Sequence, residues 1–408
     1  MKGKGVLSVF ILVIFGIFVL GMPQGAVGKK PLKIGAVYIL SGAFATYGQF
    51  ARNGINLAVD EINAKGGILG RKVEVTFEDS KAKPAVAIRA FRKLVYEEKV
   101  DFLVGLDSSG VALGVVPTLP ELKRILIITH AATPDVTGKK CNKYAFRISV
   151  NLNQNVGAGA RIAAKTGAKR WTTIGPDYAF GHQSWEYFQK YLKKLVPDAV
   201  FMEKVAFPKL ATEDYSTYIT SIMDANPEGV FISLWGGDLV NFVRQANAYG
   251  FFKKGYKVLM SLGAATEVLY ALKDKMPEGV WVGTRYWFLA NPSPTNKRFV
   301  EAYKKRYNAY PSYNAQNAYT AIYALKAAIE KAKSTKTEAV IKALEGLRIE
   351  APVGKIYIRP QDHQAILNVT WGKTAADPNY PIRILKPMVT FSGEEVTPSP
   401  EETGCKMK

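Results

Sequence analysis

Two cysteines, Cys141 and Cys405, and three histidines, His130, His182 and His363, are few for a chain of 408 residues. No histidine shares a metal-ligand spacing with another or with a cysteine, so a zinc site is unsupported and exposed or capping histidines are expected. No G-x-S-x-G elbow occurs, which removes the common serine-hydrolase nucleophile. There is no P-loop, and the glycines of GGILGRK (66–72) read as a helix stop and a turn rather than a dinucleotide loop. Ser108, His130 and Asp177 can be combined into a triad on paper, but any chain this long supplies such a set. The chain is therefore read as non-catalytic and without a cofactor. Acidic residues are also scarce, 34 against 55 lysines and arginines, for a net charge of +21. The basic residues are spread along the chain, as in RKLVYEEK and AYKKRY, with no aromatic-interleaved cluster to stack bases. Nucleic acid is excluded as a partner, and a solvated surface facing an anionic envelope explains the charge.

Long apolar runs are limited to one, Val6 to Met22, preceded by Lys2 and Lys4 and followed by the small-residue stretch PQGAVG. This pattern reads as an export signal over 1–28, cleaved after Gly28. The run is at the short limit for spanning a bilayer, so an uncleaved anchor, and with it a membrane-bound sensory ectodomain, is the alternative. No cysteine follows it, so lipoprotein anchoring is not indicated. Everything after Lys29 is expected outside the cytoplasm, in the periplasm or at the cell surface. In an oxidising compartment Cys141 and Cys405 are expected to pair, with two free thiols as the alternative.

What is present begins at Leu32. An apolar strand, LKIGAVYIL, ends in the small-residue loop SGAFATYG (41–48), and a helix follows with Ala51, Ile55, Leu57, Ala58, Ile62 and Ala64 at roughly helical spacing. A second strand, KVEVTFED, comes after. Strand-like and helix-like segments then alternate for most of the length, with strands at 101–105, 124–129, 144–149, 171–176, 199–205, 229–234, 257–260 and 279–285. Such alternation gives an α/β fold, and the number of units requires two doubly wound parallel sheets. The first lobe is expected over 29–150 and 284–355, the second over 151–283 and 356–392. Later strands are expected at 355–358, 365–371 and 383–390. A chain that crosses several times makes a hinge of parallel strands. The polar, proline-bearing tail 393–408 is expected to be loosely ordered.

Loops that follow strands carry the candidate site: SGAFATYG, LDSSG (106–110), THAATP (129–134), PDYAFGHQ (176–183), LWGGD (234–238) and SLGAAT (261–266). Open α/β sheets bind ligands at such strand ends. Ser108 and Ser109 open a helix as caps or ligand donors, and Thr133 and the Ala131 backbone offer further polar groups. Tyr47, Tyr178, Phe180, Trp235 and Trp287 are candidate apolar walls. Asp107, Asp177 and Asp238 are candidate partners for a ligand amine.

These segments carry a resemblance. SGAFATYGQFARNGINLAVDEINAKGGILGRKVEV, FLVGLDSSGVALGVVP, ITHAATPDVT, PDYAFGHQSWEYF and FISLWGGDLVNFVRQANAYGF resemble the periplasmic solute-binding proteins of ABC transporters, in the leucine/isoleucine/valine-binding branch, across nearly all of 32–390. The resemblance implies two lobes joined by three crossovers and closing on a small ligand, an amino acid or related carboxylate. It implies that Ser108, Ala131 and Thr133 receive the α-carboxylate and part of the amine. Tyr47 and Phe180 would line the side-chain pocket, with Trp235 to Asp238 completing it. The implied partner is a membrane permease, served by a monomeric binding protein. One position departs: where amino-acid binders carry an acid after the strand matching 257–260, this chain has Gly263. Either Asp238 or Asp107 then takes the amine, or the ligand has none, as an aromatic carboxylate or short amide would.

Overall fold

The structure is a computed structural model that describes residues 1–3, 5 and 29–407. The export signal expected over 1–28 lies almost wholly outside the described residues. Among the described residues no helix is long and apolar enough to cross a membrane.

The first sheet contains β1 (Leu32–Tyr38), β2 (Val73–Asp79), β3 (Phe102–Gly105), β4 (Leu126–Ile128) and β5 (Ala145–Arg147), in the order β2-β1-β3-β4-β5 and parallel throughout. The second contains β6 (Arg170–Ile174), β7 (Val200–Phe201), β8 (Gly229–Ile232), β9 (Lys257–Met260) and β10 (Trp281–Thr284). A small antiparallel sheet follows, of β11 (Arg348–Ala351), β12 (Gly354–Ile358) and β13 (Ala365–Ile366). Finally β14 (Val369–Ala375) and β15 (Ile384–Phe391) return to the second sheet, whose order is β15-β14-β10-β9-β8-β6-β7. Five strands of that sheet repeat the winding of the first, while β14 and β15 run antiparallel on its edge. The two doubly wound parallel sheets are as expected, with this antiparallel pair added at the edge of the second. Strands β3 and β8 are buried along their whole length, as strands covered by helices on both faces must be.

The helix Ala45–Ala64 buries Tyr47, Gly48, Ala51, Gly54, Ile55, Leu57, Ala58 and Ile62 and lies along the helix Tyr313–Ala332. The two backbones touch at Gly54, where a Cβ would stand 2.1 Å from the Ala315 carbonyl oxygen, so no larger residue fits without moving a helix. A segment far along the chain is thereby bound to the first sheet's unit. The chain passes between units after β5, after β10 and between β13 and β14. The last passage corrects two expectations. A lobe boundary between 355 and 356 would cut β12, and the single strand expected over 365–371 is two strands in different sheets.

The tail is also ordered rather than loose. Ser392 caps a helical turn at Gly393–Val396, and a second turn spans Pro400–Thr403. Arg161 forms an ion pair with Glu395 at 3.0 Å, Gln154 donates to Thr397 at 2.9 Å, and Cys405 is bonded to Cys141.

Candidate ligand-binding site

Both sheets present the carboxyl ends of their parallel strands to one cavity. Its walls are Asp107 and Ser109 after β3, Ala132 after β4, Tyr178 and Phe180 after β6, Trp235 after β8, Leu262 after β9, Arg285 after β10, and Tyr313. These ends flank the points where the winding of each sheet reverses, the usual place for a ligand in an open α/β sheet. The two units are closed on each other, leaving about 10 Å³ for the centre of a water molecule, roughly one water's room.

The closure is aromatic. Phe44 and Tyr47, from the loop and helix after β1, meet Trp235 from the opposite unit with ring centroids 4.2 and 5.1 Å apart, one pair stacked and one edge-on. Tyr47 Oη accepts the Gly236 N–H at 3.2 Å. Gly236 has φ of +56° and opens the helix Gly236–Ala248; a Cβ there would sit 2.8 Å from Phe44. Glycine is needed on both counts, for its backbone and for the close approach. Below this clasp, Asn314 donates to the Glu267 carboxylate across the cleft, and Thr266 Oγ1 donates to the Tyr310 carbonyl at 3.1 Å.

Ionisable groups are buried around the cavity. Asp107 accepts the Ile39 N–H at 2.6 Å through Oδ2, while Oδ1 receives no hydrogen bond. His130 Nδ1 stands 3.4 Å from Oδ1, yet it offers no proton. The ring's Nε2 lies 2.9 Å from the Asn314 carbonyl, which only accepts, so the single proton is on Nε2 and Nδ1 accepts from Thr129 Oγ1 at 2.7 Å. Burial pushes the His130 imidazole down to about 3, keeping it neutral, and pushes the Asp107 carboxyl up to about 7 against the Ile39 bond that lowers it. Burial likewise raises Glu267 to about 7 and lowers the Arg285 guanidinium.

Of the residues read as site candidates from sequence, Asp107, Phe180 and Trp235 line the cavity, joined by Ser109 and Tyr178. Tyr47 stands behind Trp235 as part of the clasp, and Ser108, the N-cap residue of the helix Ser109–Val115, lies near Tyr178. Ala131 and Thr133 do not reach the cavity. The Ala131 N–H bonds to Leu106 at 2.9 Å, the Thr133 N–H to Ser109 Oγ at 3.1 Å, and both carbonyls accept from the buried Arg147. Asp238 is not among the cavity's walls: its Oδ2 accepts the Ala211 N–H at 3.2 Å and Tyr215 lies against it, while Oδ1 is buried without a hydrogen bond. Gly263 is not among the cavity's walls either, and a Cβ there would lie 2.6 Å from Val282. Trp287 is buried against Phe288. His130 and His363 are core residues, His363 stacked on Phe146 at 3.7 Å, and only His182 is exposed, 2.9 Å from Asp177. Sequence reading missed Ala132, Leu262, Arg285 and Tyr313. The signal for Arg285 was its place in VWVGTRYWFLA, a cation inside an apolar-aromatic run just after a strand.

The periplasmic binding protein family's sequence model matches residues 31–377. The Leu/Ile/Val-binding protein homolog 6 of Brucella melitensis is 26% identical over 356 residues, 86% of this chain and 89% of its own length. Among solved structures, an amino acid ABC transporter substrate-binding protein from Pseudomonas fluorescens superposes with a TM-score of 0.81 at 25% identity, covering 92% of this chain and 98% of that one. A solute-binding protein of an ABC transporter from Rhodopseudomonas palustris, in complex with 3,4-dihydroxybenzoic acid, gives 0.81 at 26% identity, covering 92% and 99%.

Proposed function

The chain belongs to the periplasmic binding protein family, and from that premise we propose that it captures a small amino acid, of the branched-chain type or a related carboxylate, between its two sheets. The observation that carries this reading is the cavity walled from both units at the winding reversals and sealed by the Phe44–Tyr47–Trp235 clasp. Residues 29–150 with 284 to about 366 act as one lobe, and 151–283 with 369–391 as the other. Opening separates Trp235 from Phe44 and Tyr47. A ligand that touches both lobes stabilises the closed form by its extra contacts there, and its affinity for that form sets how far the equilibrium moves. The loaded monomer delivers its cargo to a membrane permease. Residues 1–28 direct export and are removed after Gly28, leaving the mature chain outside the cytoplasm. An aromatic carboxylate is the second reading, favoured by Tyr178, Phe180, Trp235 and Tyr313 in the cavity wall.

A thermal-shift screen of leucine, isoleucine, valine, short amides and hydroxybenzoates tests the reading. A ligand present at 100 times its Kd adds about 2.7 kcal/mol to the native state, a shift of several degrees. No shift from any amino acid or aromatic acid at millimolar concentration would rule the reading out.

A further inference from the structure

Three arginines are buried among the described residues, and two have all they need. Arg359 holds the Asp362 carboxylate with both Nε and Nη2 and gives its third nitrogen to the Pro398 carbonyl. Arg147 spreads its donors over Gln364, the Ala131 and Thr133 carbonyls and the Thr137 hydroxyl. Arg285 is different. It is 3% exposed and lines the cavity, yet it donates only one described hydrogen bond, from Nη1 to the His130 carbonyl, and its Nε has no partner. The Tyr313 ring lies 5.1 Å from its guanidinium carbon. Among the described residues no carboxylate stands within ion-pair distance of it. A buried cation without an anion is costly, and it turns the cavity into a strong anion site.

The same cavity carries a second unmet group. Asp107 Oδ1 is buried without a donor, because the nearby His130 Nδ1 is itself an acceptor. Ser109, Tyr178, Phe180, Trp235, Leu262 and Tyr313 supply the rest of the wall. The wall thus asks for three things in one small molecule: an anion, a hydrogen-bond donor and an apolar or aromatic body.

We propose that Arg285 is the specificity-determining residue of this site, pairing with the ligand's carboxylate while Asp107 receives a donor on the same ligand, an ammonium or a hydroxyl. The assignment rests on the cleft being the ligand site. It moves the anchor for the carboxylate away from Ala131 and Thr133, which are not among the cavity's walls and whose backbone groups are spent on Leu106, Ser109 and Arg147. A neutral analogue of the same shape is rejected, since it leaves the guanidinium enclosed and unpaired. Arg285 also follows β10, where the chain passes between units, and bonds to a loop of the first sheet. A carboxylate held there reinforces closure.

Calorimetry with two acid–amide pairs tests this: leucine and leucinamide, 4-hydroxybenzoate and 4-hydroxybenzamide. The native protein should bind at least one acid and bind its amide at least about 100-fold more weakly. Arg285→Met should lose that preference by weakening the acid by a similar factor while leaving the amide within about threefold. Arg285→Lys, which keeps the charge but not the bidentate fork, should retain part of the preference and reports that the fold is intact. Asp107→Asn separates the two donor classes, weakening an ammonium ligand by more than about tenfold and a hydroxyl ligand by less. Amides that bind as tightly as acids, or an Arg285→Met protein that keeps the acid within threefold, would overturn the Arg285 assignment and leave the cleft reading standing. Binding of neither acid, nor of any other acid from the thermal-shift screen, would overturn both.

Discussion

Replacing Trp235 by alanine probes whether the cleft closes as the aromatic contacts indicate. Trp235 is 3% exposed, and its partners Phe44 and Tyr47 belong to the opposite unit. A buried tryptophan withdraws about 200 Å² from water, worth about 5 kcal/mol at 25 cal/mol per Å². Part of that burial is against its own unit and persists when the cleft opens, so about half, ~2.5 kcal/mol, belongs to the closed form. Two aromatic pairs add about 0.5–1.5 kcal/mol each, of which relaxation of Phe44 recovers some. About 3 kcal/mol is therefore lost from the liganded state relative to the open one. That corresponds to an affinity loss on the order of 100-fold. Isothermal titration with the strongest ligand from the screen gives the affinity, and thermal unfolding of the ligand-free protein gives the stability cost separately. Trp235→Phe should keep the stack on Phe44 and stay within about tenfold of the native affinity. The reasoning fails if Trp235→Ala binds within threefold of native while its melting point falls, because Trp235 would then be a core residue of one lobe.

Asp238→Asn should change ligand affinity by less than about threefold and cost about 1 kcal/mol of stability, since the carboxylate serves the Ala211 amide rather than the cavity; a large affinity loss in titration would restore Asp238 to the site. The Cys141–Cys405 bond spans 264 positions and ties the tail after β15 to the first sheet's unit. Mutating both cysteines to serine should lower stability by about 2–5 kcal/mol in urea unfolding, and a midpoint unchanged within error would show that the non-covalent tail contacts suffice. Asp107 gives a pH dependence with a defined sign. Its folded carboxyl, raised to about 7, holds a proton that the unfolded chain releases near 4, so folding takes up a proton between those values. This group's contribution to stability therefore falls as pH rises from about 4 to 7. The stability advantage of Asp107→Asn over the native protein should grow across that window, and a difference independent of pH would contradict the buried, unpaired carboxyl.

Much of the fold was legible because its signals are local. A β-branched run ending in a small-residue loop and followed by a 3.6-residue apolar rhythm is a strand–loop–helix whatever surrounds it, and β1 with the helix Ala45–Ala64 follows that reading. The loops after β3, β6 and β8 were marked as binding loops for the same reason, and Asp107, Phe180 and Trp235 do line the cavity. The break between β13 and β14 was not legible. Over 365–371 (AILNVTW) a single polar residue, Asn368, parts two apolar pieces, too little to signal a break, and only the pairing partners show that the chain changes sheets there. Asp238 shows the same limit: the sequence places an acid after GG at a strand end, and only the structure shows that its Oδ2 accepts the Ala211 N–H.

The sequence by itself determined the class of fold, the succession of elements, the strand-end loops and the family resemblance, because these depend on periodicity and short motifs within a few turns of chain. The tertiary structure alone decided which polar groups face the cavity. Ala131 and Thr133 are drawn off by Arg147 and Ser109, Gly263 is covered by Val282, and Arg285 is left with one carbonyl and no anion. Each outcome depends on partners tens to hundreds of residues away, or on a neighbouring strand. A hydrogen bond is satisfied or left open by geometry in space, and composition and spacing along the chain do not carry that information.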